Sequence, residues 1–354
     1  MKISTVLILC CNIIWSLHLY IFSQCNTTSI SSAIQQLPKN VNYSHVGTFT
    51  NIVREYSNSS SYGFNKVDVL NIGKHLNQLN AKSSVLAFQN VILNLGRWDN
   101  QRVYKLFDFA LIGDAYEESS LKGLVCLATQ TSVERLLSVA EVAKKWLGPI
   151  SVAVFVSSDD EFVILKHYVT YLRLCFDFVR ENVTFHLAFP NDRKPQHERL
   201  QSPKLLKMYD CRNPQKTLHS MLQLRTTETI RWRSRNLYPQ NHLRNFARKG
   251  CQTKYVFLTD VDIIPSNNIV SLLNDFLSTA RCSTGLCAYV IPTLEIDDRV
   301  RFPSSKSELL RLIKRGLARP FHEKVFIYNQ YATNFSRCEN IMFTEICTHT
   351  HVHM

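Results

Sequence analysis

The sequence predicts an α/β sandwich built on a largely parallel sheet. Three observations carry this. From about residue 119, apolar runs of strand length alternate with segments of helical periodicity. Hydrophobic residues make up 45% of the 354, with only 10 glycines, which fits an ordinary packed core and not a disordered or fibrous chain. One apolar run, "KYVFLTDVDIIPS" (254–266), ends in two carboxylates. Ligands of such folds bind beyond the carboxyl ends of the strands.

Taken in order, "LKGLVCLATQTS" (121–132) reads as a buried strand ending in polar residues. "GPISVAVFVSS" (148–158) is a second strand, its Gly-Pro a start signal. Phe162, Leu165, Val169, Leu172, Phe176 and Val179 then recur at three- and four-residue intervals and predict one helix with a single apolar face. "NVTFHLAFP" (182–190) is a third strand. The helix "QNHLRNFARKG" (240–250) stops at glycine, and "KYVFLTD" (254–260) is a fourth strand leading to a helix through "SLLNDFLSTAR" (271–281). "LCAYVIP" (286–292) reads as a fifth strand. In "SSKSELLRLIKRG" (304–316), Ser305 and Glu308 have capping-box spacing and Gly316 can end the helix.

Before this region the organisation differs. Residues 1–24 hold one lysine followed by about twenty mostly apolar residues, which predicts an uncleaved signal-anchor crossing the membrane. Residues 25–62, rich in Asn, Ser and Thr, read as a stem, and 63–118 as an N-terminal extension of the lumenal domain. The catalytic domain is assigned to 119–345, and 346–354 to an unstructured tail. Sequons at Asn26, Asn42, Asn58, Asn182 and Asn334 agree with a secretory route. Of eleven cysteines, Cys10 and Cys11 lie in the apolar run, leaving an odd nine for an oxidising compartment. Cys282 and Cys287 could close a small loop.

The formal net charge is +13, from 41 Lys+Arg against 28 Asp+Glu, which favours anionic partners. The basic residues are scattered without a block of five or six, so nucleic acid is not expected as a partner.

The chemistry lies in Asp260 and Asp262. In an extended chain residues i and i+2 share one side, so both carboxylates would face one direction with Val261 turned inward. Such a pair repels unless a cation sits between its members or one takes a proton. A hard divalent ion, Mn²⁺ or Mg²⁺, prefers oxygen ligands and can neutralise a departing diphosphate. Asp-x-Asp triplets also serve as caps and turns, but this is the only one in the chain. Glu295, closing the next strand in "IPTLEIDD", is the candidate general base, with Asp297 and Asp298 as neighbours that could serve instead. An ion-paired structural role for Glu295 stays open. Arg244 and Asn245, on the preceding helix, could reach an anion bound there, and Thr129, Gln130 and Thr131, at the end of the first strand, could hydrogen-bond a ligand.

The blocks "YPQNHLRNFARKGCQTKYVFLTDVDIIPS", "YVIPTLEI", "RFPSSKSELLRLIKRG", "RPF" and "ATNFSR", with "CLATQTS" and "WLGPISVAVF" upstream, resemble glycosyltransferase family 49 over roughly 119–340. The resemblance implies a GT-A type nucleotide-diphospho-sugar transferase fold, a Rossmann-like mixed sheet flanked by helices. It implies a single-pass type II Golgi membrane protein with a Mn²⁺-dependent inverting transfer. UDP-glucuronate would be the donor and a xylose-ended O-mannosyl glycan on a glycoprotein the acceptor. Another UDP-sugar, such as UDP-N-acetylglucosamine, is the alternative donor. Asp260 and Asp262 take the family's metal-binding role, and Asn334 and Arg337 fall in a matching block. There are departures: Ala332 stands for a proline and Cys338 for a tryptophan. A late His-Lys-Gly segment, whose histidine is the family's third metal ligand, is not found before Met354, so the C-terminal part is expected to be missing. His349, His351 and His353 alternate in the tail without replacing it. A catalytically silent glycan-binding or partner protein is therefore the alternative reading.

Overall fold

The computed structural model describes residues 96–195, 211–280 and 288–323, with Thr333 and Phe335. The predicted anchor and stem, the Cys282–Cys287 pair, Asn334, Arg337 and the histidine tail lie outside the described residues. Among the described residues no helix is long and apolar enough to cross a membrane.

Six strands form one mixed sheet: β1 (Arg97–Trp98), β2 (Tyr104–Leu111), β3 (Val125–Ser132), β4 (Ile150–Phe155), β5 (Val183–Pro190) and β6 (Tyr255–Leu258), in the order β1-β2-β5-β4-β3-β6. β5, β4, β3 and β6 run parallel, while β2 pairs antiparallel to β5 and β1 to β2. Thus strands from the stretch before residue 119 share the sheet. Their alternation is visible in β2, whose burial switches residue by residue.

The helices sit on both faces. Val125 and Leu127 of β3 pack with α2 (Leu136–Trp146), α3 (Asp159–Cys175) and α8 (Ile269–Thr279). Cys126 and Ala128 pack on the other face with α7 (Gln240–Gly250). Four further helices are α1 (Tyr116–Lys122), α4 (Asp177–Asn182), α5 (Pro214–Leu222) and α6 (Thr227–Arg235). Disulfides join Cys126 to Cys251 and Cys175 to Cys211. From β3 the chain steps outward through β4 to β5, then returns to lay β6 on the opposite side of β3. The order reverses between β3 and β6, the kind of switch point beyond whose strand ends open α/β sheets bind ligands.

Two sequence expectations are corrected. The single amphipathic helix over 162–179 is two: α3 ends at Cys175, Phe176 is extended, and α4 begins at Asp177. α3 is buried on nearly all sides, because Arg173 donates to the Ile112 carbonyl at 3.2 Å and to Asp114 at 2.8 Å, which closes its polar side as well. The predicted strand over 286–292 does not form in its described part. Pairing starts later, where β7 (Leu294–Ile296) lies antiparallel to β8 (Ala318–Pro320) in a separate two-stranded sheet. Pro292 has no N–H to give a ladder. Between them, α9 (Lys306–Lys314) starts as expected: Glu308 N–H donates to the Ser305 hydroxyl at 3.3 Å, and Gly316 ends the turn at φ +68°.

Gly250 ends α7 for a reason other than a left-handed cap. A Cβ there would fall 2.3 Å from His186 Nε2 and 2.3 Å from Ser151 Oγ, so only glycine lets the helix end meet β4 and β5. Gly250→Ala should therefore lower stability by about 1–3 kcal/mol, read as a shift of the denaturation midpoint, although alanine is the better helix former. An unchanged or raised midpoint would show that the contact is slack.

His186 is fully buried in that contact. Its Nδ1 accepts from Phe109 N–H at 2.9 Å, and its Nε2 lies 3.0 Å from Ser151 Oγ, which gives its own proton to the Ala247 carbonyl at 2.6 Å. The neutral Nε2–H tautomer satisfies every partner, whereas a second proton would face the Phe109 N–H. Burial holds the imidazole down at about 4. The unfolded chain takes that proton near 6.5, so between about pH 6.5 and 4 the unfolded state binds more protons and stability falls as pH falls. The expected loss across that window is on the order of 3 kcal/mol. Denaturation curves of His186→Gln should lack this part of the slope whatever its stability at neutral pH.

Candidate functional site

The site is built where β3 and β6 run side by side. Ala128 pairs with Leu258, and Thr259 N–H donates to the Ala128 carbonyl at 3.1 Å, so Gln130 and Asp260 come level just beyond the ladder. The chain then turns sharply, with Ile263 N–H donating to the Asp260 carbonyl at 3.1 Å and Val261 buried in the core. This corrects the extended-chain expectation that both carboxylates share a side by strand alternation. The triplet is a turn, and each carboxylate has its own arginine.

Asp260 is held from α7. Arg244 donates to Oδ1 from Nε at 3.1 Å and from Nη2 at 2.6 Å, and to Oδ2 from Nη2 at 2.7 Å. Gln130 Nε2 adds a bond to Oδ1 at 3.2 Å and Gln240 Nε2 a longer one at 3.4 Å. Asp262 accepts at Oδ2 from Arg135 Nη1 at 2.8 Å. Its side chain is 55% exposed against 35% for Asp260, so Asp262 is the carboxylate more open to a ligand.

Of the three polar residues at the end of β3, Gln130 is the one that reaches Asp260 among the described residues. Thr129 and Thr131 are buried on the opposite face, the latter donating to the Ser132 carbonyl. Behind Gln130, the Tyr238 hydroxyl donates to Oε1. Burial pushes the Tyr238 phenol far up, which keeps it protonated as that donor. The Tyr238 ring meets Phe155 edge-on at 5.8 Å, and the Arg233 guanidinium lies 5.0 Å over the Phe155 ring. Arg233 in turn bonds buried Glu161 through Nε at 2.8 Å and Nη2 at 2.5 Å. Arg225 bridges Glu161 and Glu134 at 3.1 and 2.5 Å.

Asn245 is exposed one position along α7 from Arg244, about 100° around the helix, and is not brought to Asp260 with it. Glu295 is ion-paired: Arg319, its register partner on β8, donates to Oε1. Asp297 is engaged by Arg299, whose guanidinium and N–H hold its carboxyl well below the ordinary range. Arg135, Tyr238, Gln240 and the Glu161–Arg233–Arg225 cluster were not singled out from the sequence. Arg135 had one weak signal, a cation three residues past a strand end.

The profile of the family described as "Glycosyl-transferase for dystroglycan" matches residues 124–353. The chain belongs to glycosyltransferase family 49. It is 31% identical over 226 residues to beta-1,4-glucuronyltransferase 1 of Bos taurus and 30% to that of Homo sapiens, covering 61% of this chain and 51% of each relative. Xylosyl- and glucuronyltransferase LARGE1 of Homo sapiens is 25% identical over 223 residues, 63% of this chain and 23% of the relative. The chain thus spans about half the length, or less, of the curated relatives it matches. The mixed, mostly parallel sheet with helices on both faces is compatible with the GT-A type expected of the family.

The donor chemistry fits a hard divalent ion in part. Two carboxylates supply oxygen ligands at the switch point, and Asp262 engages Arg135 through Oδ2 only among the described residues. No group of three His, Cys, Asp or Glu side chains gathers to hold a metal among the described residues.

Proposed function

We propose that the chain transfers glucuronate from UDP-glucuronate, with inversion, to a xylose-ended O-mannosyl glycan, as a type II Golgi membrane protein. The observation that supports this best is Asp260 and Asp262 beyond β6 at the switch point, with Arg244 and Arg135 on the same rim, in a family 49 chain. The relatives named as glucuronyltransferases support the choice of donor.

In this reading Asp260 and Asp262 would hold Mn²⁺, or Mg²⁺ in its place, and the bound ion would supply charge neutralisation on the departing diphosphate. Gln130, backed by Tyr238, orients Asp260. Arg135, exposed and bonded through Nη1, offers a guanidinium that suits a phosphate or the sugar carboxylate, while Arg244 steadies Asp260. Thr129 and Thr131, buried on the opposite face, and Asn245, turned away from Asp260, take no direct part in this reading. Glu295 takes the acceptor hydroxyl proton at Oε2, the oxygen Arg319 does not engage.

One observation favours a second reading, a glycan-binding or partner protein without turnover: each carboxylate is already neutralised by its own arginine. Incubation with Mn²⁺, a β-xyloside acceptor and either UDP-glucuronate or UDP-N-acetylglucosamine separates the cases. Glycoside formed from UDP-glucuronate at least about tenfold faster is the expected result. Preference for the other donor overturns the choice of sugar, and no product from either overturns the transferase.

A further inference from the structure

Beyond the switch point, a groove of about 300 Å³ lies between the loop before α9 and α9 itself, lined by Arg301, Phe302, Ser304, Glu308, Arg311 and Arg315 among others. Three guanidiniums face one carboxylate there. That carboxylate is already committed: Glu308 Oε2 accepts from Ser304 N–H at 2.6 Å and from its hydroxyl at 2.8 Å. Among the described residues none of the three arginines closes a salt bridge, and the one carboxylate that attracts Arg311 and Arg301 is Glu308, which leaves an excess of positive charge. Arg311 and Arg315 are one helical turn apart and so repel on the same face unless an anion lies between them.

The groove is tied to the transfer site. Asn267 accepts from Lys145 Nζ at 2.8 Å and donates to the Ser304 carbonyl at 2.8 Å, and the Lys145 ammonium stands 5.4 Å over the Phe302 ring. Asn267 follows Asp262 by five residues, so its Cα lies at most about 18 Å away. Half-exposed Phe302 adds an apolar ring beside the cations.

We propose that this groove binds an oxyanion borne by the acceptor sugar chain, as a carboxylate, sulfate or phosphate ester. The inference rests on the transferase reading for its acceptor but not for its test, which measures binding alone. The full chain is titrated calorimetrically with a sulfated hexasaccharide, its desulfated counterpart and inorganic sulfate. The sulfated sugar should bind with an affinity that falls as salt rises, and the other two at least about tenfold more weakly. In the Arg311→Gln/Arg315→Gln double variant, binding of the sulfated sugar should drop about tenfold with UDP binding unchanged, and Arg311→Lys/Arg315→Lys should restore part of it. Undiminished binding in the glutamine variant, or equal binding of the neutral sugar, overturns the proposal. Inorganic sulfate binding as well as the hexasaccharide overturns it too, in favour of a free-anion site. Because no turnover is read, a chain that transfers nothing can still pass, and an active chain can still fail.

Discussion

Asp262→Asn should cut UDP-sugar turnover by at least about 10²-fold while leaving the fold intact. The amide keeps the shape and one acceptor oxygen but removes the charge that a divalent ion requires. Stability should hardly move, because the Arg135–Asp262 pair is about half exposed on both sides, and such pairs are worth roughly 0–1 kcal/mol. Asp260→Asn is less clean, since it also loosens Arg244, Gln130 and Gln240 from their common oxygen. The measurement is kcat/KM over a Mn²⁺ series, with a melting curve as control. Retained activity in Asp262→Asn, or in excess chelator, would remove the carboxylates from the mechanism.

The sheet was legible in the sequence because its parallel strands are buried on both faces. "LVCLATQTS", "ISVAVF" and "VTFHLAFP" read as strands without tertiary information, since nothing but apolar or small polar side chains fits between two helical layers. β1 and β2 were not legible, because "YKLFDFAL" is a half-buried strand with Lys105 on its buried face and Asp108 on the other, which blurs the apolar alternation. The triplet drew attention to the end of β6 because a charged pair closing a buried strand is conspicuous in the sequence. Which partner each carboxylate takes was partly hidden, because Gln130 and Asp260, Arg135 and Asp262, and Tyr238 and Gln130 each meet across more than a hundred residues, whereas Arg244, 16 residues before Asp260, was a candidate from the sequence. Equally hidden was the geometry of the triplet. Strand alternation describes an extended chain, and the Asp260–Ile263 turn ends that regime at the first of the two carboxylates.

Glu161→Gln should cost about 3–5 kcal/mol, the largest loss of stability expected from one uncharged isostere in this chain. Glu161 is fully buried at the start of α3, and both oxygens are filled: Arg233 on each, Arg225 on Oε1, and the Ser157 N–H and hydroxyl on Oε2 at 2.9 Å. Glutamine keeps the volume but turns an N–H₂ toward donors that need acceptors, and leaves two largely buried guanidiniums with Glu134 alone. The loss should also reach the transfer site. Arg233 packs over Phe155, Phe155 against Tyr238, and Tyr238 holds Gln130 on Asp260, so slackening at Glu161 loosens Gln130 from the Asp260 carboxylate while Arg244 stays on it. Denaturant midpoints of Glu161→Gln, Arg233→Met and the double variant test this. The double variant should be less destabilised than the sum of the singles by at least about 1 kcal/mol, because removing both charges leaves fewer unpaired groups than removing one. Strict additivity, or a Glu161→Gln midpoint at the wild-type value, would mean that the guanidiniums find water instead, and that this cluster does not brace the site.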